Sequence, residues 1–304
     1  MTSPCLICGA TNWRSCYHGS IRMGSFGKKS PDDLDVWECG DCGARYLPPV
    51  MADIEAYYKS GEYRDDLSQG NAVDEFFRLT DNDQPHKLDL IGMHQLRGKT
   101  VADVGCGAGP FLDLVKGFAA QTIAVEPNQS YHESLRQRGH EVYTWAQDVP
   151  ESLAGKMDAA VSYSVLEHVE NPLSFLQDIR RLLKPGGMLA LSTPNADDWM
   201  VANSTDYAAF FYRKVHLWYF TAAALKRLAT LAGFESCEVT FDHRFDLSNA
   251  MVWMRDKRPT GNGKLPFDAA LNAAWREHLI REGRSDYLYA ILKVSERRGA
   301  PAAR

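Results

Sequence analysis

The chain has 304 residues, 34 Lys and Arg against 39 Asp and Glu for a formal net charge of −5, and 45% hydrophobic residues. That length gives room for one large domain with an appendage and an ample core. The mildly acidic balance counts against a mainly electrostatic hold on nucleic acid. With no run of eighteen apolar residues and no apolar leader, a cytoplasmic protein with reduced cysteines and no membrane partner is expected.

Four of the seven cysteines form two Cys-x-x-Cys pairs, Cys5 with Cys8 and Cys39 with Cys42, each followed by glycine. Each pair suits a tight knuckle that turns two thiolates toward one tetrahedral ion, so residues 1–50 are expected to hold a structural Zn²⁺. A site closed by four thiolates keeps no open position for substrate, which excludes a catalytic role for this metal. Disulfides are disfavoured by compartment and a redox pair by the presence of two matched pairs; Cys16 and His18 fit the spacing less well. Strand-like pieces lie around Trp13 and over 36–38, an exposed loop over 24–30, and Pro48-Pro49 close the module.

Residues 51–99 read as polar and helical, with helices over 52–59 and 85–96 and with Tyr57, Tyr58 and Tyr63 between them. The stretch from Thr100 to Gly109 then organises the rest. Apolar residues lead into Asp103, and Gly105, Gly107 and Gly109 follow at alternate positions. This predicts a buried strand, a sharp turn that lets the backbone approach a ligand, and a helix from about Phe111. The spacing is Asp-x-Gly-x-Gly-x-Gly, not the Gly-x-Gly-x-x-Gly of the pyrophosphate fingerprint. The next strand, 122–125, ends in Glu126, where a carboxylate can accept hydrogen bonds from both hydroxyls of a ribose.

Beyond it, strand and helix alternate as in a parallel sheet covered on both faces. Strands are expected over 141–145, 157–164 and 188–195, with Leu166-Glu167-His168-Val169, Asn171-Pro172 and Lys184-Pro185-Gly186-Gly187 at the junctions. A helix capped by Thr221 and stopped by Gly233 leads to a strand over 234–241. The segment 286–294 is expected as an antiparallel strand between the fifth and sixth, which makes 246–285 a helical insertion with a hinge over 258–266. The tail after Arg297 is expected to be disordered.

The glycine loop, the terminal Glu126 and the two junction motifs together resemble the class I S-adenosylmethionine (SAM) methyltransferases, over roughly residues 100–245. The resemblance implies an α/β, Rossmann-like seven-stranded sheet with strand seven antiparallel, joined here to a small zinc-ribbon module. It implies a cofactor site of Asp103, Gly105, Cys106, Gly107, Gly109, Glu126, Pro127, Gln147, Asp148 and Ser164, with Tyr58 and Tyr63 as cover. Trp145 and Ala146 are further candidates at the adenine, and for Trp145 and the tyrosines plain core packing is the alternative.

Methyl transfer from a sulfonium asks the protein mainly to align nucleophile, methyl and sulfur, with a nearby base of modest strength. His216, in a segment similar to the His-x-x-Tyr/Phe-Phe-Thr stretch over the acceptor pocket of relatives, is the first candidate, and His168 the second. Tyr212, Arg213, Trp218 and Asn195 are candidate acceptor contacts, and Arg213 with Lys214 could hold a phosphate or carboxylate; solvated charge and packing are the plainer alternatives. The ribbon, the tyrosines and the SAM core look like enzymes of sugar and polysaccharide biosynthesis. The chain lacks the further carboxyl-terminal domain of the sugar C-methyltransferases, which favours O- or N-methylation. A quinone-type or natural-product ring, an RNA, and a non-enzymatic interaction module remain as other readings.

Overall fold

The structure, a computed structural model, describes residues 2–50, 53–66, 72–259, 261, 263 and 265–296. The expected tail after Arg297 and the start of the expected helix at Ala52 lie outside the described residues. The amino-terminal strands are β1 (Trp13–Gly19), β2 (Leu34–Cys39) and β3 (Arg45–Tyr46), and the helices α1 (Ile54–Lys59), α2 (Glu62–Asp66), α3 (Val73–Thr80) and α4 (Gln84–Ile91) follow. The α/β succession is β4 (Thr100–Val104), α5 (Pro110–Val115), β5 (Gln121–Val125), α6 (His132–Gln137), β6 (Glu141–Tyr143), β7 (Met157–Tyr163), α7 (Pro172–Leu182) and β8 (Leu183–Pro194). After it come α8 (Trp199–Asn203), α9 (Thr205–Phe211), β9 (Trp218–Tyr219), α10 (Ala222–Leu231), β10 (Ser236–Asp242), α11 (Leu247–Asp256), α12 (Ala269–Arg281) and β11 (Tyr287–Lys293).

The large sheet runs β10-β11-β8-β7-β4-β5-β6. Its β6-β5-β4-β7-β8 part is parallel, and β11 is antiparallel to both neighbours, with Leu288 opposite Thr193 and Phe241. This is the seven-stranded Rossmann-like sheet of the methyltransferase fold. Strands β4 and β7 are apolar almost throughout because helices cover both their faces. Asn171 caps α7, its Oδ1 accepting from the amides of Leu173 and Ser174 at 3.1 Å, with Pro172 in the first turn. Thr221 caps α10 by accepting from Ala224 N.

Elements start and stop a little differently from the sequence expectation. Strand β6 ends at Tyr143, because Trp145–Asp148 turn back on themselves through Asp148 Oδ2, which accepts from Trp145 N. The expected helix over 85–96 ends at Ile91, since Gly92 takes φ +86° and closes it.

A second sheet, β1-β2-β3-β9, joins the amino-terminal segment to the body of the molecule. Arg45 pairs with Tyr219 and Tyr46 with Trp218, and Leu47 N donates to Leu217 O at 2.9 Å. Cys5, Ile7 and Cys39 accordingly share one apolar cluster with Leu217, Trp218 and Phe220. No helix among the described residues is long and apolar enough to cross a membrane.

Candidate active site

The carboxyl ends of β4, β5 and β7 frame a cavity of about 500 Å³. Gly105, Glu126, Pro127, Trp145, Ala146, Gln147, Ser164 and His168 line it, and Tyr58 and Tyr63 lie across it. Open α/β sheets hold ligands at this edge.

Two glycines let neighbouring side chains pack directly onto the turn; Gly105 lines the cavity and Gly107 does not. A Cβ on Gly105 would stand 2.4 Å from Val165 Cγ2, and one on Gly107 2.2 Å from the ring of Phe76. Both have positive φ, +82° and +56°, so a side chain is excluded by backbone as well as by space. Gly107 N–H donates to Glu126 Oε2 at 2.7 Å and Asn128 N–H to Oε1 at 2.8 Å. These bonds lock the carboxylate in place, yet burial raises its pKa to about 7 against their pull and that of Arg64. Asp103 is buried behind the loop and also raised to about 7 by burial, with Lys87 as its opposing charge. Cys106 and Gly109 belong to the same turn but do not line the cavity, and Asp148 faces out beside Gln147. Ser164, left-handed at φ +56°, shares a 2.7 Å hydrogen bond with Tyr287 Oη.

At the cavity's far end Tyr58 Oη lies 2.6 Å from His168 Nδ1. That nitrogen also lies 2.8 Å from the carbonyl of Val215, which can only accept, so Nδ1 carries the proton. His168 Nε2 therefore presents its lone pair, 4.0 Å from Glu167 Oε1. The ring of His216 stands edge-on to that of His168, centroids 4.6 Å apart. Ligand atoms of Glu167, His168 and His216 all fall within 4.8 Å of one another. His216 Nδ1 is buried without a hydrogen-bond partner. Burial and the charge of Arg213 push His168 down to about 3 and His216 well below the ordinary imidazole value, while burial lifts Glu167 to about 7.

The other expected acceptor contacts are placed differently. Trp218 is 1% exposed, lies tilted against Tyr46 with ring centroids 4.6 Å apart and donates to Glu170 O. Asn195 spends its amide on the carbonyls of Gly283 and Ser285. Tyr212 is 1% exposed, and its hydroxyl accepts from Arg45. Lys214 is ion-paired with Asp66, which removes it from an anion-binding role. Arg213, whose carbonyl accepts from His216 N at 3.0 Å, has no ion-pair partner among the described residues. A larger cavity, about 690 Å³, lies between Cys16, Arg45, Asp197 and Trp253, and Tyr212 lines it. Two residues of the site had no sequence signal: Phe76, which seals the glycine turn, and Arg22, which meets Arg213 across the chain.

The four thiols of Cys5, Cys8, Cys39 and Cys42 also converge within 4.8 Å, with Sγ separations of 3.7 Å for Cys5–Cys42 and 3.4 Å for Cys8–Cys39. Four thiolates at about 2.3 Å from one zinc stand about 3.8 Å apart, so the cluster fits that ion. None of the four is in a disulfide.

Residues 78–239, more than half the chain, match the family described as a methyltransferase domain. The chain belongs to that family. It is 29% identical over 168 residues to the ubiquinone biosynthesis O-methyltransferase of Thiobacillus denitrificans, covering 48% of this chain and 68% of that one. It is 30% identical over 185 residues to the tRNA U34 carboxymethyltransferase of Pseudoalteromonas translucida, covering 55% of each. The crystal structure of a SAM-dependent methyltransferase from Archaeoglobus fulgidus superposes with a TM-score of 0.50 at 18% identity, over 72% of this chain and 96% of that one, a likeness of fold. The chain thus spans about half to two thirds of the length of these curated relatives.

Proposed function

We propose that the protein is a SAM-dependent methyltransferase of a small-molecule acceptor, a sugar, nucleotide-sugar or related metabolite, methylated at oxygen or nitrogen. The observation that carries this reading is a single cavity running from Gly105 and Glu126 to Tyr58 and His168, with His216 behind the latter. Bound there, SAM supplies an activated methyl carbon. Glu126 takes its ribose hydroxyls, the Gly105–Gly109 backbone and Asp103 its amino-acid end, and Pro127, Gln147 and Asp148 the adenine side. Tyr58 and Tyr63 close the site to water, and the histidines stand where an acceptor proton leaves. Cys5, Cys8, Cys39 and Cys42 hold a structural Zn²⁺ in a module over 1–50, followed by a covering segment over 51–99 and a catalytic domain over 100–297 with its insertion near 246–285.

The test is calorimetry with S-adenosylhomocysteine (SAH), followed by labelled methyl transfer to sugars, nucleotide-sugars, catechols and RNA. Glu126→Ala is expected to weaken SAH by roughly 10- to 100-fold, the worth of charge-assisted hydrogen bonds. Saturable binding that Glu126→Ala leaves intact would refute the cofactor assignment. Label entering a catechol and no sugar would move the acceptor to a quinone-type ring, the class named for the Thiobacillus relative. Label in RNA would do the same for nucleic acid, against the expectation from net charge.

The raised pKa of Glu126 adds a pH dependence. Hydroxyls donate best to an ionised carboxylate, and burial raises the pKa of the free carboxyl to about 7. Binding therefore releases a proton, so SAH affinity should climb as pH rises through about 7 and level off above it. Below that point the loss from this carboxyl is at most tenfold per pH unit. Titrations at pH 6, 7 and 8 check the slope, and Glu126→Gln should reduce it, the remainder belonging to Asp103, which burial also raises to about 7.

A further inference from the structure

We propose that Arg22 and Arg213 form a binding site for an oxyanion, a carboxylate or phosphate carried by the acceptor. The proposal rests on the methyltransferase reading only in assigning that anion to the acceptor. The two arginines are far apart in sequence, yet the backbone staples them side by side. Arg22 N donates to Tyr212 O at 2.9 Å, Lys214 N donates to Arg22 O at 3.0 Å, and Arg22 and Arg213 form a parallel bridge between these bonds.

Among the described residues neither side chain has a carboxylate within 4.0 Å, although nearby cations do. Arg45 is paired with Glu38, Lys214 with Asp66 and Lys257 with Asp206. Arg22 lies over the ring of Phe210, 4.0 Å from its centroid, and its Nε is buried without a hydrogen-bond partner. Both residues are partly buried, and the charge of Arg213 works against that of Arg22.

Two adjacent, partly desolvated like charges are costly unless an anion joins them. Glu167 is the acidic group that feels Arg213, and it makes no ion pair with either arginine. The position suits the acceptor: His216 N donates to Arg213 O at 3.0 Å, and the His216 ring stands against His168, which lines the cavity. Two planar forks of N–H donors match an oxyanion with two or more free oxygens, whereas a neutral hydroxyl would leave most of those donors unused.

The experiment titrates acetate, inorganic phosphate and inorganic pyrophosphate, with chloride as control, into SAH-saturated wild-type protein and into Arg22→Gln, Arg22→Lys and Arg213→Gln. At least one oxyanion is expected to bind one-to-one and more tightly than chloride. Its affinity should fall about tenfold or more in each Gln variant and less in Arg22→Lys, which keeps charge but loses the fork. Preference for acetate assigns a carboxylate, and preference for phosphate or pyrophosphate a phosphoryl group. SAH affinity within about twofold of wild type shows that each variant is folded and that the anion is not the cofactor's own carboxylate. A wild type that binds no oxyanion better than chloride, equal binding in the variants, or SAH affinity lost together with the arginines would each overturn the proposal. Failure of wild-type protein to bind SAH at all is a separate result and bears on the cofactor assignment.

Discussion

Cys39→Ser is expected to release the zinc and to abolish methyl transfer while leaving SAH binding nearly intact. Cys39 ends β2, and its sulfur lies 3.4 Å from that of Cys8. A structural zinc contributes on the order of 10 kcal/mol to the folding of so small a unit, so loss of one thiolate should loosen β2 and β3 together. The effect does not stop there, because β3 is the strand on which β9 is built. Gly43 packs against Thr221, the cap of α10, and Arg45 donates to Ala196 O and Tyr212 Oη. Freed from β3, residues 212–221 would no longer present His216 to the cavity. The cavity walls at Gly105, Glu126 and Gln147 follow β4, β5 and β6 of the large sheet, which is not paired to β3. Metal analysis should find about one zinc per wild-type chain and less in the variant, with turnover down by at least about 100-fold, as misplacement of a catalytic group costs. A zinc-poor variant with wild-type melting and turnover would remove the metal from any part in building the site.

The same pairing marks where the sequence stopped being readable. The glycine turn, Glu126, the cap at Asn171 and the seventh strand were legible because each depends on neighbours close in the chain or on an apolar strand long enough to be seen. β3 and β9 are two residues each, and nothing in Arg45-Tyr46 or Trp218-Tyr219 announces a partner far along the chain. In the sequence Tyr212 and Trp218 read either as acceptor contacts or as packing. The pairing decides it for Trp218, held against Tyr46, while His216 two residues earlier stays beside the cavity. Charges were similarly opaque. Arg213 and Lys214 are adjacent and equivalent on paper, and Asp66 takes one of them, leaving Arg22 as the structural neighbour of the other.

His216→Ala is expected to lower kcat by about 10²- to 10⁴-fold, the usual worth of a positioned base, with SAH affinity unchanged. The geometry separates the two histidines. His168 is engaged at Nδ1 by Val215 O and Tyr58 and faces Glu167 with Nε2, whereas His216 Nδ1 is buried behind that ring with no hydrogen-bond partner among the described residues. Burial and the charge of Arg213 also keep His216 neutral, its pKa far below the ordinary value. A base must be unprotonated to act, so a depressed pKa leaves it active throughout the neutral range, and between pH 6 and 8 kcat should show no loss on its account. Removing the nearby positive charge weakens this. In Arg213→Gln the His216 pKa should rise in part, since burial, the larger cause, and Arg22 remain, and an acid limb should enter the low-pH end of the kcat profile with the rate falling as pH drops. Normal turnover in His216→Ala would acquit the residue. Turnover lost in that variant without a new acid limb in Arg213→Gln would leave His216 holding the acceptor in place and the proton passing to solvent or to the acceptor's own groups.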